Sequence, residues 1–420
     1  MSAPISFEAP RGMRDFYPED MVWRNRIFDA WRAAAERFGF KNYDACVVES
    51  LELLQRKSGE EVSEQIYAFE DKSGRKLALR PEMTPTLARM VAARQSRLPF
   101  PIKWYTMAQC FRYERMTRGR KREHYQLNMD IIGSDEILCE AEILGAAVAA
   151  MREMGLPDTA WHIHVSSRAL LGELLAKSGI PQDQHPAVFI ALDKRGKISD
   201  EEIASLLRNE GLNDEAIAKT FELLAVTSLE GAAALAGEDS PALADLRKLF
   251  AMADEMGYGE ILMFDIAVIR GLSYYTGIVF EAFDAQRKFR AIFGGGRYDS
   301  LLALVGGQPT PAVGMGFGDV VVGEVLRDLL GETCPIQRDG YLIGYMTDEQ
   351  RPAALKLTAK LRAEGHKVDL SLVAQKPKHF FGKSGNSSAL EAIYIGPDDL
   401  TAGAVQVKNL ETREQRTLAL

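Results

Sequence analysis

Cysteine is scarce in this sequence. Only Cys46, Cys110, Cys139 and Cys334 occur, too scattered for any two to form a metal-ligand pair. A reduced, cytoplasmic protein is the simplest expectation. Histidine is equally sparse, and His162 and His164 merely alternate along a strand-like run, where surface positions outnumber ligands. No protein-built metal site is therefore expected. Long apolar runs are also missing. The stretch Ile143 to Ala150 is among the longest and is far too short to cross a bilayer. The first residues carry charges and prolines without a basic-then-apolar pattern, so secretion is not expected. No glycine run is followed by the Gly-Lys-Ser/Thr of a P-loop or matches dinucleotide-binding spacing. Internal repeats and low-complexity tracts are absent as well.

What remains is a globular composition, 46% hydrophobic and 26% charged, in 420 residues, which implies two or three domains. A net charge of −8 argues against a surface coated for nucleic acid. Its distribution matters more. Lys103 to His124 holds seven Lys/Arg against two acids, Glu114 and Glu123. Cation density of this kind on an acidic protein suits a polyanionic ligand held at one place.

Periodicity predicts a helix from Glu19 to Arg37, with Pro18 at its start and Met21, Ile27, Phe28, Ala30 and Trp31 forming its apolar stripe. Strands are expected at Gln65–Glu70 and Leu77–Arg80, then a helix from Thr84 to Gln95. Ile102–Tyr113 and Tyr125–Gly133 read as a long hairpin with its charge at the tip. A strongly periodic helix covers Glu136–Glu153, and Trp161–Ser167 is a strand. The next eighty or so residues are rich in alanine and leucine and predict a helical insertion. Strand character returns at Ile261–Ile269, Ile278–Phe283 and Phe289–Phe293. Beyond a linker at Gly331–Asp339, strands and helices alternate, which predicts a small α/β domain with parallel pairing. The hairpins before it predict a largely antiparallel sheet.

Four segments have the composition of a ligand site rather than a core. In the hairpin, Arg112, Glu114, Arg120, His124 and Gln126 interleave cations with aromatics and Gly119; arginine grips phosphate bidentately and stays charged. A basic loop standing alone is more often a solvated face. In Leu79-Arg80-Pro81-Glu82-Met83-Thr84, the carboxylate lies where a strand hands over to a helix; by itself it reads more readily as a carboxylate favoured by the helix dipole. Arg270-Gly271-Leu272-Ser273-Tyr274-Tyr275 follows an apolar strand with an arginine and paired tyrosines. Gly294-Gly295-Gly296-Arg297-Tyr298 lets backbone approach a ligand, although tight turns account for most glycine runs.

In this order, the segments resemble the histidyl-tRNA synthetase family of class II aminoacyl-tRNA synthetases across essentially the whole chain. Phe111-Arg112-Tyr113-Glu114 with Gly119-Arg120-Lys121-Arg122 looks like class II motif 2. Arg270–Tyr275 and Gly295–Asp299 are similar to the histidine-specific segments. The variant loop 115–120 is closest in kind to the cyanobacterial and plant-organelle branch. The resemblance implies an α+β fold: a class II antiparallel sheet with flanking helices in residues 1–166 and 257–330, a helical insertion in 167–256, and a C-terminal α/β anticodon-binding domain in 338–420. It implies ATP-dependent ligation of L-histidine to tRNA(His) through histidyl-adenylate, in a homodimer without membrane attachment, with Mg2+ accompanying the ATP phosphates.

Site roles follow from the same resemblance. Arg112 and Arg270 would be catalytic, gripping the α-phosphate. Glu82, Thr84, Arg112, Gln126, Asp130, Arg270, Tyr274 and Tyr275 would bind histidine, Asp130 and Tyr275 at its imidazole. Arg112, Glu114, Arg120 and His124 would bind ATP. The sequence departs from the family pattern at several positions. Cys46 stands where motif 1 usually has proline. Asp130 replaces a glutamate, and His124 the aromatic that stacks on adenine. Val321 stands where motif 3 carries an arginine for the γ-phosphate, so another cation, Arg120 or Arg118, is expected to take over. That loss is the feature favouring the alternative, a non-catalytic histidine-sensing paralogue such as the regulatory subunit of ATP phosphoribosyltransferase. The presence of Arg112, Arg270 and a C-terminal domain with net charge +2 favours the synthetase.

Overall fold

In a computed structural model of the chain, the residues described are 6–55, 65–195, 198–269, 275–331, 334 and 338–420. The chain divides into two compact units, Met1–Thr333 and Cys334–Leu420.

Among its described residues the first unit has eleven strands: β1 (Lys41–Asn42), β2 (Val48–Ser50), β3 (Ala68–Glu70), β4 (Lys76–Leu79), β5 (Ile102–Phe111), β6 (Glu123–Ile132), β7 (Trp161–Ser167), β8 (Leu262–Phe264), β9 (Ile278–Asp284), β10 (Phe293–Arg297) and β11 (Ala312–Gly318). Eight form one sheet in the order β1-β5-β6-β11-β10-β9-β7-β8, and β2, β4 and β3 form a small second one. In the large sheet β1 runs parallel to β5 and β8 parallel to β7, whereas the inner pairings are antiparallel, as the hairpin spacing predicts.

Helices cover one face. Pro18–Arg37 begins with proline at its first turn, and the Asp20 carboxylate accepts the Tyr17 backbone N–H at 3.1 Å. Its buried residues Trp23, Ile27, Ala30, Trp31, Ala34 and Ala35 form one apolar stripe. Leu138–Glu153 packs beside it, and small residues permit the close approach: a side chain on Gly145 would meet Phe38 at 3.0 Å. Between β7 and β8 the chain is helical, from Arg168–Lys177 through Pro241–Glu255, with several helix starts capped by Ser or Asn side chains.

Two strand expectations change. The apolar run Ile261–Ile269 yields only β8, because the backbone turns after Phe264. The strand expected at Phe289–Phe293 instead begins at Phe293 and runs through the glycines to Arg297. Glycine is required there by close packing: a Cβ on Gly295 would lie 2.1 Å from the Gly314 carbonyl oxygen.

The second unit has strands β12 (Tyr341–Tyr345), β13 (Val368–Leu370), β14 (Glu391–Ile395), β15 (Ala404–Asn409) and β16 (Gln415–Ala419), in the order β13-β12-β14-β15-β16. β12 pairs parallel with β13 and β14, while β14, β15 and β16 are antiparallel. The parallel pairing matches the strand–helix alternation in the sequence. Its core joins Ile343, Leu357, Leu361, Ile393, Ile395, Val405 and Val407.

One ion pair ties the sheet to its helices. Arg297, at the end of β10, grips Glu140 of Leu138–Glu153 with Nε at 2.6 Å and Nη2 at 2.7 Å, and donates to the Ser134 and Glu136 carbonyls. Both side chains are buried. Replacing Arg297 by methionine leaves Glu140 charged and unpartnered, and should cost about 3–5 kcal/mol. Urea denaturation of the variant checks this, and a loss below about 1 kcal/mol would show that the pair contributes little.

Candidate active site

Strand β6 alternates sharply in chemistry. Tyr125, Leu127, Met129 and Ile131 point one way, whereas His124, Gln126, Asn128 and Asp130 point the other and line a cavity of about 990 Å³. Opposite them on β11 stand glycines: Gly318 faces Gln126, Gly316 faces Asn128 and Gly314 faces Asp130. Directly paired residues share a face with their side chains in contact, so the missing side chains are the cavity floor. A Cβ on Gly314 would lie 2.0 Å from Asp130 Oδ1, and one on Gly316 would lie 2.7 Å from Gln126 Nε2. The glycine floor continues onto β10, where Gly294 pairs with Gly316 and Gly296 with Gly314.

The cavity collects every described site residue expected from the sequence: Glu82, Thr84, Arg112, Glu114, Arg120, His124, Gln126, Asp130 and Tyr275. Glu82 and Thr84 are buried where β4 passes into the helix Thr84–Ala92. Arg112, Glu114 and Arg120 come from the connection between β5 and β6. Arg112 Nε donates to the Pro81 carbonyl at 2.9 Å, which ties the cation to the Glu82 segment. Arg120 Nη1 lies 2.9 Å from Glu114 Oε2. Arg270 and Tyr274 fall outside the described residues. Tyr275 is described, with its carbonyl accepting from Arg168 Nη1 at 3.2 Å.

The basic loop is anchored at its root. Arg14 reaches Glu123 Oε1 at 2.7 Å and Asp319 Oδ2 at 2.9 Å. Asp319 Oδ1 accepts the Tyr125 backbone N–H at 2.9 Å, and Gln109 Nε2 donates to Glu123 at 3.1 Å. Burial raises the Asp319 carboxyl above its usual range, while Arg14 opposes that shift. Higher in the loop, the Arg122 guanidinium stacks 4.0 Å from the Tyr113 ring centroid, and the Arg122 backbone N–H donates to the Gly12 carbonyl. The opening segment is thus part of the site's framework.

At the other end of β6, Asp130 is fully buried, and Tyr298 Oη donates to its Oδ1 at 2.5 Å. Its Oδ2 is buried with no hydrogen-bond partner among the described residues. Burial pushes its carboxyl up to about 7, opposed by the Tyr298 hydrogen bond. His124 shifts the opposite way. Burial, with Arg112 and Arg14 nearby, lowers it to about 3, so the ring is neutral at physiological pH.

The wall also holds residues outside the set expected from the sequence, among them Asn128, Lys121, Tyr298 and Arg290. Asn128 carries a signal, since it continues the polar alternation of β6. Tyr298 belongs to the glycine-rich segment, but nothing local marks it as a partner of Asp130. Lys121 is one cation among seven, and Arg290 stands in no motif. Arg80, beside Glu82 in its segment, proves structural: it is buried, with Nε donating to the Gln109 carbonyl and Nη1 to the Ala45 carbonyl.

The family profile described as histidyl-tRNA synthetase matches residues 12–318, and an anticodon binding domain profile matches 334–420. The chain is 42% identical to the chloroplastic/mitochondrial histidine–tRNA ligase of Arabidopsis thaliana over 413 residues, covering 98% of itself and 85% of that protein. It is 38% identical to the histidine–tRNA ligase of Opitutus terrae over 418 residues, 98% of itself and 95% of that protein. Its fold matches the crystal structure of histidyl-tRNA synthetase from Nostoc sp. PCC 7120 with a TM-score of 0.83 at 23% identity, covering 99% of this chain and 97% of that one.

The shifted carboxyl of Asp130 has a measurable consequence. A folded-state pKa of about 7, above the usual 3.8, means that the native protein holds a proton which the unfolded chain releases. The stability from Asp130 is fully present below pH ~3.8 and is lost as pH rises through ~7. Asp130→Asn should lack that loss. Urea midpoints at acid and neutral pH, compared between wild type and variant, check it; equal slopes would sink the assignment.

Proposed function

The chain belongs to the histidyl-tRNA synthetase family and charges tRNA with histidine, and from that premise we propose how its residues divide the work. ATP is the co-substrate. The observation supporting the division is that the residues suited to an amino acid and those suited to a nucleotide line one cavity.

In this reading, Glu82 and Thr84 hold the α-amino group, and Gln126 the carboxylate. The imidazole enters between Asp130 and Tyr275, with Tyr274 assigned to the same pocket from sequence. Glu114 holds the adenine amino group and His124 stacks on the base; a neutral ring suits that role, since it places no extra charge against the base. A carboxylate oxygen of histidine attacks the α-phosphorus of ATP. The new O–P bond forms as the bond to the β-phosphate oxygen breaks, and pyrophosphate leaves. A terminal ribose hydroxyl of tRNA then takes the histidyl group, releasing AMP. Charge builds on phosphate oxygens in the first step, so Arg112 and, from sequence, Arg270 stabilise the transition state, and holding both reactants in register supplies much of the rest. Arg112 is suited to this because its Nε is already committed to the Pro81 carbonyl, which fixes the guanidinium.

No cluster of three or more His, Cys, Asp or Glu suited to a metal occurs among the described residues. Magnesium would therefore enter on the ATP phosphates and add its charge to that of the arginines. The anticodon-binding unit supports tRNA(His) as the RNA partner, and we further assign the chain to a cytoplasmic homodimer. Buried free thiols at Cys110 and Cys139 suit a reducing compartment, and no described helix is long and apolar enough to cross a membrane. The alternative of a histidine sensor without catalysis is not favoured, because the relatives matched over nearly the whole chain are ligases.

Purified protein should exchange labelled pyrophosphate into ATP only when histidine is present. Arg112→Ala and Arg270→Ala should each lower kcat/KM by about 10²- to 10³-fold or more. Histidine binding without exchange in the wild type would shift the assignment to the sensor.

A further inference from the structure

The cavity has a wall that the roles above leave unexplained. At the tip of the β5–β6 connection, Gly119 faces Val321 and Arg290: from the position of a Gly119 Cβ, Val321 Cγ2 lies at 3.4 Å and Arg290 Cδ at 3.8 Å. Val320 and Val321 make this stretch of the lining apolar, and Arg290 brings a cation to it. Of the two arginines expected from the sequence to serve here, Arg120 lines the cavity and Arg118 does not. Arg118 sits 3.3 Å from Glu324 and 4.7 Å over the Phe289 ring, and it is not part of the cavity lining. Arg120 borders the cavity from the basic loop, 2.9 Å from Glu114, and Arg290 borders it from the β9–β10 connection.

Arg290 is also well mounted. It lies on the connection between β9 and β10, which the Asp284 carboxylate pins by accepting the Lys288 and Phe289 backbone N–H groups, each at 2.8 Å. Lys288 pairs with Asp328 of the helix Asp319–Leu330, and Phe289 carries the Arg118 guanidinium. The two residues before it in the chain are thus fastened to the helix that bears Val321 and to the basic loop. A cation held by a braced hairpin is preorganised for an anion.

Resting on the assignment of Arg112 to the α-phosphate, we infer that Arg290 binds the outer phosphates of ATP and the departing pyrophosphate, in place of a cation at position 321. Gly119 serves the same end, since its missing side chain lets phosphate oxygens pass between Arg120 and Arg290. The role is one of binding and leaving-group stabilisation.

The test uses the full-length enzyme with Arg290→Gln, which preserves most of the stem over Gly119, and Arg290→Ala. In pyrophosphate exchange, the KM for ATP and that for pyrophosphate should each rise by about 10- to 100-fold, the worth of a charge-assisted contact. The KM for histidine should stay within about twofold, as should the affinity for a histidyl-sulfamoyl adenosine, which has no outer phosphates. That second readout also shows that the variants fold. Unchanged ATP and pyrophosphate constants would overturn the assignment, as would parallel losses for histidine and the sulfamoyl compound, which mark a merely structural arginine. A wild type without histidine-dependent exchange would instead remove the underlying reading, and the Arg290 role with it.

Discussion

Between β6 and β11 the register sets Gly314 against Asp130, Gly316 against Asn128 and Gly318 against Gln126, and everything in the site depends on that alignment. A shift by one residue would put Met315 or Phe317 against the polar row and close the cavity. Glycine is a poor strand former, because it loses the most backbone freedom and packs nothing. The compensation lies on the reverse face, where Phe280, Phe293, Phe317, Trp31 and Trp161 are all buried. Trp31 meets Phe317 edge-on at 5.4 Å, and Phe293 lies 5.0 Å from Phe317. One face of the sheet is therefore filled with large rings so that the other can stay empty.

The emptied face must also hold its charged groups still. Half-buried Arg14 and the buried Glu123 and Asp319 form a set whose members belong to the opening segment, the start of β6 and the start of the helix Asp319–Leu330. Removing one member leaves the others uncompensated in a low dielectric, which is a steep penalty. The set therefore fixes three separate stretches of chain relative to one another. Through the Tyr125 N–H it fixes β6 itself, so the cavity-lining His124, Gln126, Asn128 and Asp130 are carried on one rigid strand.

The polar alternation of β6 was legible in the sequence, since period-two polarity between apolar residues is the mark of a strand with one wet face. So were the hairpin and the helix Pro18–Arg37. Arginine function was not legible. Arg80, Arg297 and Arg112 all sit beside glycine, proline or an aromatic in segments of site-like composition. Yet Arg80 and Arg297 hold backbone and Glu140, while Arg112 opens into the cavity. The difference depends on which carbonyls and carboxylates lie nearby in space, and these come from distant sequence. Arg290 shows the converse, a cavity cation with no local pattern around it. The β10 glycines misled for a related reason: local composition reports their freedom, whereas their placement in a central strand is decided by β9 and β11 on either side.

If Asp130 receives the imidazole as proposed, selectivity follows from what the buried carboxyl lacks. Asp130 has one oxygen engaged by Tyr298, and its other oxygen is buried without a partner among the described residues. A side chain entering here without a hydrogen-bond donor leaves that oxygen unsatisfied, a cost of about 1–3 kcal/mol from this one contact. The carboxyl pKa of about 7 lies close to the roughly 6.5 of an imidazole. Bound in the proposed way, the two groups could share one proton, so the pair would not need to carry two full charges into the low-dielectric floor. An amide or hydroxyl of similar size offers the hydrogen bond without that match in proton affinity. In the proposed role an aspartate, shorter than the glutamate of the family pattern, would suffice because Tyr298 holds its carboxyl and the bare Gly314 leaves it room.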